Sequence, residues 1–197
     1  MKVTIIIIAT ITAVLVTTQI YFAMAQTETQ PYQIIKKEDN FEIRLYPPAI
    51  MASIYMDAKT YKELSYTGFR KLASYIFGGN QGKKSIAMTS PVHMDINDSK
   101  SSMSFVMPAN YTKGNLPKPN DSSITINTTA NEYVAAIRFG GYANDDEIKK
   151  YTSKLEAALN AKRIEYYGNF RFLGYNAPFQ FWGRRNEIIV SVIWNEK

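Results

Sequence analysis

The 197-residue chain has no cysteine and one histidine, which excludes disulfides, thiolate metal ligation, a thiol nucleophile and any zinc centre built from several imidazoles. Its 23 basic and 17 acidic residues give a formal charge of +6, and the surplus lies in scattered pairs such as Lys36-Lys37, Lys83-Lys84, Lys149-Lys150 and Arg184-Arg185. None of these has the density of a nucleic-acid face, so no nucleic-acid partner is expected.

In chain order, residues 1–25 read as an export signal. Lys2 forms a short basic region, Ile5 to Val16 is almost unbroken apolar sequence, and Ala23-Met24-Ala25 has the small-x-small pattern of a cleavage site. The apolar run is interrupted by Thr10, Thr12 and Thr17-Thr18-Gln19, which favours cleavage over a retained anchor because a spanning helix needs about 20 apolar residues. The mature chain is expected to start at Gln26 and to be periplasmic or secreted, monomeric and without a stable membrane anchor. It would carry 22 basic against 17 acidic residues, since only Lys2 leaves with the signal. A short tail, 26–31, precedes one domain of about 170 residues, enough for a hydrophobic core.

Within 32–195, short alternating runs predict antiparallel β-structure: 41–46, 50–56, 102–108, 123–127, 132–139, 170–175, 178–182 and 187–194. Two segments carry the helical period. Over 61–77 the apolar positions are 61, 64, 69, 72, 73 and 76, and over 145–162 they are 148, 151, 155, 158 and 159. Thr60 with Glu63 and Asn144 with Glu147 form capping boxes, and Gly78-Gly79 stops the first helix. The order strand (48–57), helix (61–77), strand (84–96), strand (102–107) recurs as 132–142, 145–162, 170–182 and 187–194, with Pro91 and Pro178 inside the third element of each copy. The expected fold is α+β: duplicated β-α-β-β units, pseudo-repeats at about 48–107 and 132–194, forming a curved antiparallel sheet or distorted β-barrel flanked by two helices, with a kink at each proline. Residues 108–122, rich in Pro, Asn and Gly, read as an exposed loop joining the copies. Four N-x-[ST] sequons, at Asn97, Asn110, Asn120 and Asn127, lie in or near it.

"FEIRLYPP" (41–48), "GFRKLASYIFGGN" (68–80), "KSIAMTSPV" (84–92), "FVMP" (105–108), "LPKP" (116–119) and "RRNEIIVSV" (184–192) resemble, in order and spacing, the SOUL haem-binding proteins. The resemblance spans about residues 32–194. It implies a duplicated β-α-β-β fold and binding of haem or a related tetrapyrrole in an apolar depression with basic residues near the propionates. It carries no fixed axial histidine within these motifs.

On the residues themselves, the first helix offers Phe69, Leu72 and Ile76 on one stripe with Arg70 and Lys71 beside it, an apolar surface with cations suited to a tetrapyrrole; the alternative is an ordinary amphipathic helix packed on the sheet. His93, flanked by Met88 and Met94, is a candidate iron ligand by residue type; the methionines read as core filler, and a tyrosinate could also ligate ferric haem, though nothing selects one tyrosine. Alternation, however, puts Val92, Met94 and Ile96 on the core face and turns His93 to solvent beside Asp95. Tyr55, Tyr66, Tyr75, Tyr133, Tyr175, Phe179, Phe181 and Trp182 are aromatic candidates for core or for stacking on a flat ligand. Glu187, in the closing strand, has two readings. The architecture is similar to that of GyrI-like drug-sensing domains, where a glutamate in an aromatic pocket pairs with cations; the competing reading is a structural ion pair with Arg184, Arg185 or Arg44. No G-x-S-x-G elbow or phosphate loop is present, and His93 is the only imidazole base, so a binding protein is expected rather than a hydrolase.

Overall fold

A computed structural model describes residues 2–24 and 27–195. The elements are α1 (Lys2–Met24), β1 (Glu28–Thr29), β2 (Gln33–Lys37), β3 (Glu42–Tyr46), β4 (Ile50–Met56), α2 (Tyr61–Ile76), β5 (Thr89–Ser90), β6 (Val92–Asp95), β7 (Ser101–Val106), β8 (Ile124–Thr128), β9 (Glu132–Phe139), α3 (Asp145–Lys162), β10 (Tyr166–Gly174) and β11 (Asn186–Val192). Among the described residues, no helix is long and apolar enough to cross a membrane.

Nine strands form one curved sheet in the order β2-β3-β9-β11-β10-β6-β7-β4-β8, with β1 paired separately to β5. The duplication is visible in that order. The first, fourth and third elements of the second copy (β9, β11, β10) meet the third, fourth and first of the other (β6, β7, β4) across an antiparallel β10–β6 junction. β2 and β8 remain as edges, so the sheet is open and the barrel alternative does not apply.

α2 and α3 pack on one face. α2 covers β7 and β4, and α3 covers β9, β11 and β10. Alternation supplies the core between them: Ala52, Ile54, Met94, Met103, Phe105, Ala135, Ile137, Phe172, Ile188 and Val190 point toward Leu64, Leu72, Tyr75, Ile76, Leu155 and Leu159. The capping boxes form as expected: Thr60 Oγ1 accepts from Glu63 N at 3.2 Å, and Asn144 Oδ1 from Glu147 N at 2.9 Å. α2 ends where Gly78 takes φ +106 and Gly79 N donates to Ser74 O at 2.7 Å, so close that a side chain at 79 would collide with that carbonyl.

Three expectations are corrected. The first copy bends at Pro91, between β5 and β6, but Pro178 bends no strand: β10 ends at Gly174 and 175–185 is a loop. Sequence alternation in "PFQFW" mimics a strand, yet Phe181 and Trp182 stand in solvent. Residues 108–122 are only partly an exposed loop, because Leu116 is buried and the Tyr75 hydroxyl donates to Pro117 O at 2.9 Å. β2 carries no clear alternation; it is held by pairing to β3 across a register shift between Ile34 and Lys36.

Candidate functional site

The helix-free face of the sheet carries a buried ion cluster centred on Glu187. β11 turns Glu187 to this face beside Ile189, while β3, two strands away, presents Arg44. Glu187 is fully buried, and five hydrogen bonds reach its carboxylate. Oε2 accepts from Arg44 Nη1 at 2.7 Å and the Tyr175 hydroxyl at 2.9 Å. Oε1 accepts from Arg44 Nη2 at 3.1 Å and from Arg185 Nε and Nη2 at 3.0 and 2.8 Å. A carboxylate offers about four lone-pair positions, so this one is saturated.

Burial pushes the Glu187 pKa up, but the two arginines outweigh it and hold the group below the usual carboxylate range. Burial likewise opposes the Arg44 charge, and Glu187 more than restores it, so Arg44 titrates above an ordinary arginine. Arg44 also donates to Glu42 at 2.8 Å, balancing the cluster at two cations and two anions. Tyr32, 4.2 Å below the Arg44 guanidinium, and Tyr175, 3.9 Å from that of Arg185, close it off. Of the two readings of Glu187, the geometry is that of the ion pair with Arg44 and Arg185; Arg184 instead donates to Ala177 O and Gln180 O.

His93 is the main correction to the sequence-derived sites. Alternation does place it opposite Met94, but that face is covered there. The segment before the domain, expected as a tail, runs along β5 through β1, and Gln30 N donates to Ser90 O at 2.7 Å. Gln30 is buried over His93, whose Nε2 donates to Gln30 Oε1 at 2.7 Å. Burial first, and Arg171 second, lower the His93 pKa to about 3. The ring is 8 % exposed and engaged on one nitrogen, which leaves no access for haem iron. No group of three or more potential metal-ligating His, Cys, Asp or Glu residues occurs among the described residues.

α2 presents the other candidate surface. Its buried face is Leu64, Gly68, Leu72, Tyr75 and Ile76. Gly68 sets this rotation: lacking a side chain, it lets the helix approach Met103, whose Sδ would lie 3.2 Å from an added Cβ. Leu72 and Ile76 are therefore core residues, beneath the helix and out of reach of a surface ligand, and Phe69 sits at the boundary with its ring edge on Phe105. What the outer face exposes instead is a line at helical spacing, Tyr66 at 70 %, Phe69 and Phe77 at 69 %, with half-buried Ala73 between the two phenylalanines. Arg70 lies 5.6 Å from the Tyr66 ring. Next to it, Arg70, Lys71, Ser74, Tyr75, Gly79, Asn120, Asp121 and Ile124 line a depression of about 610 Å³. Lys71 Nζ there contacts Asp121 at 3.7 Å and donates to Ser123 Oγ at 3.3 Å. Sequence reasoning named Arg70, Lys71 and Phe69 of this surface but not the part played by Phe77 and Ser74. The period that carries Phe77, 66, 69, 73 and 77, was present in the sequence as a second stripe beside the core stripe.

The arrangement of elements and the comparisons with known proteins agree. Residues 27–191 match the model of the family described as SOUL heme-binding protein. The chain belongs to the SOUL heme-binding protein family. Heme-binding protein 1 of Mus musculus is 28 % identical over 173 residues, covering 82 % of this chain and 90 % of that protein. The Xenopus laevis protein of the same name is 28 % identical over 156 residues, 75 % and 81 % of the two chains. Heme-binding protein 2 of Mus musculus is 26 % identical over 166 residues, 80 % of each. Among solved structures, the C-terminal domain of EcmrR matches with TM-score 0.60 at 11 % identity, over 82 % of this chain and 98 % of that one. A Listeria innocua protein described as a hydrolase matches with TM-score 0.55 at 6 % identity, over 81 % and 94 %. Both are similar in fold alone.

Proposed function

We propose that this protein binds haem or a related tetrapyrrole reversibly on the outer face of α2, without catalysing a reaction, and that it does so after export. The observation that carries the reading is the solvent-exposed aromatic stripe Tyr66, Phe69 and Phe77 flanked by Arg70 and Lys71. Large aromatic side chains left in water at regular spacing mark a surface that something apolar covers. A porphyrin macrocycle supplies that flat apolar area, and its propionates suit a guanidinium and an ammonium at the margin. Family membership and the names of the relatives point to the same ligand. The donor set fits the ring and the carboxylates but offers no histidine to the iron, since His93 is enclosed. Haem bound here would therefore be held by its periphery and remain exchangeable. The export part of the reading is supported by the apolar helix α1 and the Ala23-Met24-Ala25 pattern that follows its apolar run.

A haem titration followed by absorbance tests the binding. A saturable Soret shift at micromolar haem is expected, weakened about tenfold by Arg70→Glu, which corresponds to about 1.4 kcal/mol. Absence of a saturable shift would sink the reading. The mass of the protein recovered from the culture medium or periplasm tests export: a chain beginning at Gln26 supports it, and intact residues 1–25 on cytoplasmic protein refute it.

A further inference from the structure

The rim of the sheet at the end of β10 has two features that the tetrapyrrole reading does not use. The first is where the chain enters the domain. β1 runs parallel to β5, with Glu28 opposite Thr89 and Thr29 opposite Ser90, and from there the chain continues inward along β6. Parallel pairing places Glu28 at the outer end of β1, on the rim. The entry is fixed: Glu28 Oε1 accepts from Ala109 N at 2.8 Å and Gln30 is pinned to Ser90 and His93. In sequence, only three residues, 25–27, separate Glu28 from Met24 at the end of α1, a span of roughly 14 Å at full extension.

The second feature lies on the same rim. Val92 pairs with Gly174, so loop 175–185 leaves the sheet beside the strand that holds the entry segment. The tip of that loop places Phe181 at 63 % and Trp182 at 76 % exposure, with Tyr142 of the β9–α3 connection also exposed. The loop is braced from behind. Arg184 Nη1 donates to Ala177 O and Gln180 O, both at 2.8 Å, and its guanidinium lies 4.3 Å from the Tyr142 ring. Adjacent Phe and Trp on a braced tip, unshielded from water, have the chemistry of a membrane-interface anchor, where the rings sit at the headgroup level and arginine beneath them suits the polar layer.

We propose that this rim is a lipid-facing surface, Phe181 and Trp182 inserting into the interface of the bilayer to which the N-terminal apolar helix delivers the chain. It rests on the export reading for where the chain meets a bilayer, and on nothing in the haem reading. In the full-length protein the shortness of this three-residue connection keeps the rim within reach of the lipid. After cleavage the aromatic tip alone would give weak, reversible adhesion.

The test uses the full chain with Trp194→Phe, which leaves Trp182 as the sole indole. It is added without haem to phosphatidylcholine vesicles, with and without phosphatidylglycerol, whose acyl chains are brominated. The expected result is a blue shift of Trp182 emission with quenching by the brominated chains, and loss of that quenching in Phe181→Ser, whose exposed site leaves folding intact by circular dichroism. Chain that sediments with vesicles while Trp182 keeps its aqueous emission would show that the apolar helix alone attaches it, and the proposal falls. It falls equally if the chain does not sediment, or if haem in vesicle-free solution quenches Trp182 while brominated lipid does not. A failed Soret titration leaves the vesicle result unaffected, so the two readings fail separately.

Discussion

The Glu187 cluster and the outer face of α2 contain similar chemical groups in opposite states. Both combine arginine with aromatic rings. On the helix-free face, two arginines surround one carboxylate and every oxygen position is filled, with Tyr32 and Tyr175 closing the sides. On α2, Arg70 lies against a tyrosine ring at the edge of a depression open to water. Saturation makes the first a structural device, because a ligand would have to replace interactions already made in a dry site. Openness makes the second a surface with interactions to offer. Charge and aromaticity in the sequence mark both places; which is a site depends on what else is within 3 Å.

The sharpest way to break this comparison is Glu187→Gln. It leaves Arg44 and Arg185 without their shared anion in a buried setting and should lower stability by about 3–5 kcal/mol, measured by urea unfolding. The protein that remains folded should bind haem with unchanged affinity; a selective loss of binding would move the ligand to the helix-free face.

Acid should act on that same face. The His93 pKa falls from 6.5 in the unfolded chain to about 3 in the fold, so between these values the unfolded chain takes up a proton that the folded one does not. Stability is then complete above pH 6.5 and declines toward pH 3, by roughly 2–4 kcal/mol from this group. Glu187, held below its ordinary pKa, adds a loss in the same direction at the acid end of the window. His93→Leu should flatten the decline between pH 6.5 and 4 in thermal melts; an unchanged slope would show that His93 does not carry it.

At neutral pH, His93→Ala leaves the Gln30 amide oxygen without its donor and opens a cavity, at about 1–3 kcal/mol. The Soret spectrum of the haem complex should not change, and a shifted band would restore His93 as a ligand. The smallest effects on stability are expected on α2. Phe77→Ser and Arg70→Glu sit at exposed positions and should alter unfolding by at most about 0.5 kcal/mol. Haem affinity should fall about tenfold in each. A variant that loses stability but not affinity would make the stripe ordinary helix surface.

Much of the fold was legible in the residues because its signals are local. Period-two alternation gave β3, β4, β7, β9 and β11, period 3.6 gave α2 and α3, and the side chains of Thr60 and Asn144 fixed where the helices start. Alternation also assigned His93 and Glu187 to the face opposite the helices. It misled at "PFQFW", where nothing pairs with the segment, and local pattern has no means of reporting a missing partner.

By itself, then, the sequence determined the two main helices, most of the central strands and their faces, the duplication and the family, since each depends on neighbours a few positions away or on motifs read in order. Only the tertiary structure decided what covers those faces. Gln30 closes over His93 from 63 residues away, and Arg44 reaches Glu187 across 143. Gly68 against Met103 fixes the rotation that sends Leu72 and Ile76 into the core and leaves Tyr66 and Phe77 in water. Burial and saturation arise from long-range packing, and here they separate a residue that holds the fold from one that can hold a ligand.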